Sequence, residues 1–258
     1  MKIQAKPKVG FYGISGCSGC LLTVLYEDCF LELLNLVDIK SFPFIKENNY
    51  EGKLDYCFIE GTVCFDEDIL TINKLRERSN KIIALGSCAC FGCVPSMGNF
   101  RNKEKIMSFV YPKHNHLKET PPTPINRHIK VDYHIPQCPP DKKEILEFIK
   151  CILTEREFNP TKNPVCFECR KKGNHCLLED NKICLGPVTS GGCNALCPTN
   201  KTVCYGCRGP NPDANYEAFF KMLKKSKHTN KEIKDKLETF AGLAFKEKEG
   251  DSSKWLEK

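Results

Sequence analysis

The chain has 258 residues, 41% apolar and 28% charged, with a formal net charge of +7 and 18 cysteines. That length holds one large or two ordinary domains, and no apolar run reaches the roughly 18 residues of a membrane-spanning helix, so direct membrane insertion is excluded. Basic residues are not interleaved with aromatics along one element, which argues against nucleic acid as a partner.

The start, Met1-Lys2-Ile3-Gln4-Ala5-Lys6, is not followed by a signal-peptide core, so the expected compartment is the cytoplasm. In a reducing compartment so many cysteines do not read as a disulfide framework, and the clustered ones point to metal ligation.

Val9–Tyr12 predicts a first strand that runs into Gly13-Ile14-Ser15-Gly16-Cys17-Ser18-Gly19-Cys20. A helix is expected over 21–36, with Leu22, Leu25, Phe30, Leu33 and Leu34 on its apolar side. Its first amides are expected to face the two thiols and favour thiolate there. The turn matches neither G-x-G-x-x-G nor G-x-x-x-x-G-K-[ST], so a phosphate loop is the weaker reading. Further strands are predicted at 38–44, 54–59, 81–85 and 130–135. Asp66 or Asp68 is expected to cap a helix bearing Ile69, Leu70, Ile72 and Leu75, and Asp141 one bearing Ile145, Phe148, Ile149 and Ile152.

Strand–helix alternation implies an α/β fold with a parallel sheet covered on both faces. Ligands of such sheets sit beyond the carboxyl ends of the strands. Cys17 and Cys20 follow the first strand, Cys88 the fourth and Cys138 the fifth. Four cysteines distant in sequence are thus expected on one rim. Cys29, Cys57 and Cys151 fall inside elements and read as small core residues, whereas Cys64, Cys90 and Cys93 read as thiols near that rim that pack or support its ligands, with Cys93 the substitute should Cys88 not be one. Glu60 ends the third strand on the same side, either as a hydrogen-bonded carboxylate or as a proton carrier.

After about residue 160 the periodicity fades. Residues 164–210 carry Cys166, Cys169, Cys176, Cys184, Cys193, Cys197, Cys204 and Cys207, enough thiolates for two four-ligand sites whose partition chain order does not fix. A stretch so poor in core pattern needs an internal staple. Soft thiolates suit zinc or iron–sulfur clusters. A zinc-stabilised binding module is therefore the alternative to a redox protein.

The ordered set Gly16-Cys17-Ser18-Gly19-Cys20, Glu60-Gly61, Gly86-Ser87-Cys88-Ala89, Gln137-Cys138-Pro139-Pro140, Cys184-Leu185-Gly186-Pro187-Val188-Thr189, Gly192-Cys193, Cys197-Pro198 and Cys204-Tyr205-Gly206-Cys207 closely resembles one family. It is the small, electron-transfer subunit of cytoplasmic NiFe hydrogenases, of the type found in methyl-viologen-reducing, sulfhydrogenase and deazaflavin-reducing complexes. The iron–sulfur subunit of respiratory complex I is similar only in the first domain.

The resemblance implies a flavodoxin-like doubly wound sheet (residues 1–158) followed by a small irregular iron–sulfur domain (159–258) with a helical tail. It also implies three 4Fe-4S clusters. Cys17, Cys20, Cys88 and Cys138 would bind the proximal one, Cys184, Cys197, Cys204 and Cys207 the medial one, and Cys166, Cys169, Cys176 and Cys193 the distal one. Cys166 stands where membrane-bound and periplasmic members have histidine, and the loop after Cys169 is shorter. Cys193 and Cys197 must supply the two remaining ligands; Cys197 is assigned to the medial set because a fourth cysteine there makes that cluster 4Fe-4S. The implied partners are a large subunit holding the nickel–iron centre and a further flavin or iron–sulfur subunit.

Overall fold

The structure, a computed structural model, describes residues 6–46, 50–110 and 120–249. The side chains of 27–29 are not among those described, so the core role expected of Cys29 lies outside the described residues. The chain divides into two compact units, Met1–Phe158 and Asn159–Lys258.

In the first unit, β1 (Lys8–Gly13), β2 (Asp38–Ser41), β3 (Leu54–Glu60), β4 (Ser79–Leu85) and β5 (Tyr133–Ile135) form a parallel sheet in the order β2-β1-β3-β4-β5. This is the flavodoxin order. The register pairs Gly13 with Glu60, Glu60 with Leu85, and Leu85 with Ile135, so four strands end level with one another.

Successive residues of a strand face opposite ways, and both faces are buried. Phe11 and Phe58 stack at 4.7 Å on one face, and Phe148 meets Phe58 edge-on at 5.8 Å. That face is covered by α1 (Gly19–Val24), α2 (Glu27–Leu36) and α6 (Lys142–Leu153) through Leu21, Val24, Leu33 and Ile149. On the other face Cys57, Ile59, Ile82 and Ala84 meet Ile72 and Leu75 of α3 (Asp66–Arg78) and Ala89 of α4 (Gly86–Phe91). Each buried Phe, Leu, Ile or Val among them contributes about 1.5–3 kcal/mol by leaving water. Between α4 and β5 lies α5 (Lys103–Val110).

Several elements differ from the sequence reading. The helix expected over 21–36 is broken at Leu25 and Tyr26, where Tyr26 turns extended (φ −58°, ψ 127°). The break resets the helical phase, and Leu22 and Leu34 are exposed rather than packed. Asp68 caps α3 from inside its first turn: Oδ2 accepts from the amides of Cys64 (2.9 Å) and Phe65 (3.1 Å). Leu70 of that helix faces solvent. The fifth strand begins at Tyr133 rather than at residue 130, because the Asp132 carboxylate accepts from the Ile82 amide at 2.9 Å and pairs with Arg76 at 2.8 Å. Helices α4 and α5 are too short to show a period in sequence. Asp141 caps α6 as expected, accepting from the Lys143 amide at 2.7 Å.

The second unit contains α7 (Val165–Lys171), α8 (Leu196–Thr199), α9 (Tyr216–Lys225), α10 (Asn230–Leu237) and α11 (Gly242–Glu249). Isolated bridges pair Pro164 with Ser190 and Thr189 with Pro210. The apolar material missing from 164–210 comes from the later helices: Phe219, Phe220, Leu223, Ile233, Leu237 and Phe245 are all buried. A Cβ on Gly206 would lie 3.0 Å from the Phe245 ring and 3.1 Å from Leu185. Helix α11 therefore presses directly on the Cys204–Cys207 loop.

Candidate metal centres

At the level strand ends, β1 passes into a turn that is pinned from several sides. Ile14 donates to the Glu60 carbonyl (3.0 Å), Thr62 donates to the Ser15 carbonyl (2.7 Å), and the Ser15 hydroxyl donates to Asp68 Oδ2 (2.8 Å). Ser18, in the left-handed region (φ 62°), starts α1 without capping it through its own side chain. The cap comes from β3. Glu60 Oε2 accepts from the amides of Cys20 (3.1 Å) and Leu21 (3.4 Å). These amides were expected to face the thiols; they face a carboxylate instead, since an acid at a helix start satisfies the same unpaired donors. Glu60 is 2% exposed, and its Oε1 is buried without a hydrogen-bond partner. Burial pushes its carboxyl above the usual range, against the lowering effect of the Cys20 thiol and the amides of Leu21, Cys20 and Ser18.

The fourth strand runs into α4 at Gly86, whose φ of +84° suits glycine. A Cβ there would fall on Cys20 Sγ, so Gly86 also lets the end of β4 approach the first turn. Cys88 lies in α4, with the Ser87 amide donating to the Gln137 carbonyl at 3.0 Å. This bond ties the loop of Cys138 to that of Cys88. The Cys20 thiol is pushed well up by burial first, then by Glu60, Cys88 and Cys138. Cys20, Cys88 and Cys138 thus gather on the rim. Cys17 is exposed on the same turn, its Sγ 3.3 Å from where a Cβ of Gly19 would stand.

Cys93, read in sequence as a packing or ligand-supporting thiol near the rim, is 1% exposed and stands beside both Cys88 and Cys138. The Cys93 thiol lowers both neighbours, against the opposing effect of burial. Cys57 and Cys151 are buried, as expected.

In the second unit, Cys166 and Cys169 share one face of α7 at the i, i+3 spacing. With Cys176 and Cys184 they line a cavity of about 540 Å³. The Cys166 thiol is pushed up to about 12, by burial first and then by Cys184, Cys169 and Cys176. Cys184 also faces the other way: its sulfur accepts from the Cys204 amide at 3.2 Å. Cys204 is deeply buried and feels Cys184 and Cys207; Cys197 feels Cys193 and Cys184. Cys193 Sγ is 4.0 Å from Glu168 Oε2, a carboxylate that accepts from the Gly192 (2.6 Å) and Ala195 (3.0 Å) amides. Glu168 is a shaping residue that the sequence did not reveal. His175 lines the cavity, but its Nε2 lies 2.6 Å from Asp180 Oδ1. Among the described residues, no three or more His, Cys, Asp or Glu side chains gather closely enough to chelate one ion. No helix of the described residues is long and apolar enough to cross a membrane.

The family described as NADH ubiquinone oxidoreductase, 20 Kd subunit, matches residues 17–152, the part that carries the rim. Sulfhydrogenase 2 subunit delta of Pyrococcus furiosus is 37% identical over 237 residues, covering 91% of this chain and 99% of that protein. A vhu F420-non-reducing hydrogenase subunit of Methanocaldococcus jannaschii is 35% identical over 235 residues, covering 78% of this chain and 81% of that one. Among solved structures, a chain of an NAD+-reducing [NiFe]-hydrogenase in the H2-reduced state superposes with a TM-score of 0.52 at 26% identity. It covers 60% of this chain and 96% of its own.

Proposed function

The chain belongs to the family of NiFe-hydrogenase small subunits, and from that premise we propose that it relays electrons between the nickel–iron centre of a large subunit and a partner flavin or iron–sulfur oxidoreductase in the cytoplasm. It is an oxidoreductase component of a multi-subunit hydrogenase. The observation that carries the electron-relay reading is the gathering of Cys20, Cys88 and Cys138 from the ends of β1, β4 and β5, beside the exposed Cys17.

The donor chemistry fits iron–sulfur groups. Soft thiols stand beside glycines whose missing side chains leave room for them, Gly86 at the rim and Gly186 in the tail, where a Cβ would lie 3.0 Å from Cys166 Sγ. Cys17, Cys20, Cys88 and Cys138 would hold the proximal cluster. In the tail domain, 159–258, Cys184, Cys197, Cys204 and Cys207 would hold the medial cluster, and Cys166, Cys169, Cys176 and Cys193 the distal one. When bound, the three 4Fe-4S clusters supply one-electron storage at potentials set by charge, hydrogen bonds to sulfur and burial.

The protein's own part is to position and insulate. Glu60 fixes the first turn of α1 and so the Cys20 backbone. Its Oε1, buried and unpartnered, can hold a proton on the face where the large subunit docks. The Cys93 thiol stands beside two rim sulfurs, and Glu168 shapes the backbone around Cys193.

Iron and acid-labile sulfide analysis of the anaerobically purified complex tests the reading. About twelve of each in this chain are expected from twelve ligand cysteines. Eight or fewer irons contradict the three-cluster proposal, and stoichiometric zinc would identify a zinc-stabilised module instead.

A further inference from the structure

Lys231, Lys234 and Lys236 all lie on α10. One of them turns inward. Helix α10 is anchored by Ile233 (0% exposed) and Leu237 (4%). Lys236, between them in sequence, is half-buried, whereas Lys234 is exposed and pairs with Glu238 at 3.8 Å. Lys236 Nζ sits 3.4 Å from the centroid of the Tyr205 ring, which Phe240 supports edge-on at 6.1 Å. Tyr205 stands between Cys204 and Gly206-Cys207. The ammonium is thus held on the loop that carries two tail cysteines. Burial lowers its pKa, and the sulfurs of Cys184, Cys204 and Cys197 act in the opposite direction.

We propose that Lys236 is a positioning residue for the medial site, a fixed positive charge that raises the reduction potential of the group held by Cys184, Cys197, Cys204 and Cys207. This inference rests on the iron–sulfur reading of the tail. A thiolate-bound cluster gains negative charge when it accepts an electron, so a nearby cation favours the reduced form. A half-buried cation is screened less by salt than an exposed one. The Tyr205 ring face adds a cation–π contact that keeps the ammonium in place.

The test is a dithionite redox titration of the assembled, anaerobically purified complex, followed by electron paramagnetic resonance, with iron counted in each sample. Lys236→Met keeps an unbranched stem against Tyr205 and removes the charge. At fixed potential it should lower the reduced-to-oxidised ratio of one tail signal about tenfold, a 59 mV fall for a one-electron couple. Lys236→Arg should restore the parent value to within about threefold, and the rim signal should not move.

Lys234→Met removes the same formal charge two residues away and controls for the overall field. An unchanged midpoint in fully loaded Lys236→Met overturns the proposal, as does an equal shift in Lys234→Met. Should Lys236→Met lose iron, Lys236→Gln takes its place. Loss of tail iron from both, with Lys236→Arg fully loaded, supports the same requirement for charge. A parent complex with no iron in the tail overturns the cluster reading itself and this inference with it, and the iron count distinguishes that failure from a missing shift.

Discussion

The Cys20 amide donates to Glu60 Oε2 at 3.1 Å, across 40 residues of sequence. A strand-end carboxylate thereby fixes the helix turn that bears a rim thiol. Both partners are buried, so the bond is poorly replaced by water.

Glu60→Ala should cost about 2–4 kcal/mol, because it opens a cavity and leaves the Cys20 and Leu21 amides without an acceptor. Glu60→Gln keeps an acceptor and should cost less. The two also differ in pH dependence. The folded-state pKa of Glu60 lies above its ordinary value, so its contribution is greatest below the unfolded pKa of about 4.3 and is lost as pH rises through the folded value. Glu60→Gln should remove that decline. Thermal unfolding under anaerobic conditions, followed by circular dichroism across pH, reads both effects; equal stability of the Ala variant and the parent would contradict the capping role.

The division of the tail thiols is testable pairwise. Cys197→Ser should remove the same paramagnetic signal as Cys207→Ser, and Cys193→Ser the same one as Cys169→Ser. Serine oxygen is a harder and poorer ligand for iron than thiolate. Should Cys193→Ser and Cys207→Ser instead share a lost signal, the two assignments exchange. The neighbourhood of Cys184 makes this comparison informative, since it lines the cavity of Cys166, Cys169 and Cys176 while its sulfur accepts from Cys204.

Asp132 carries the opposite sign to Glu60. Burial alone would raise its pKa, but the Ile82 amide, Arg76 and Lys81 together hold the carboxyl below its ordinary value. Its contribution is therefore full above the unfolded pKa of about 3.9 and is lost as pH falls through the lower folded value. Asp132→Asn should destabilise the protein by about 1.5–3 kcal/mol near neutrality. The difference from the parent should shrink in acid. A gap that stays constant from pH 7 to about pH 3 would show that packing, not charge, holds this junction.

The sheet was legible because its strands are apolar runs closed by turn residues, and the rim because cysteines follow three of those strands. Long-range pairings were not. Nothing near Cys20 in sequence announces Glu60 as the cap of α1, and Cys93, placed near the rim by the sequence, is set apart from Cys64 and Cys90 only once the chain after α4 brings it beside Cys88 and Cys138. The helix break at Tyr26 was hidden because apolar residues continue on both sides of it. In the tail, 164–210 reads as coreless because its core partners, Phe219, Leu223 and Phe245 among them, come later in the chain. The same distance in sequence concealed Lys236, which looks like one more surface lysine until Tyr205 lies beneath it.

The turn between β1 and α1 is tied by Ser15 to both Thr62 and Asp68 and by Ile14 to Glu60. None of these ties involves a sulfur atom. The chain entropy of shaping that turn is therefore offset by the sheet and by oxygen and nitrogen partners alone. Protein taken from iron-starved cells should accordingly keep a folded first unit, resistant to limited proteolysis.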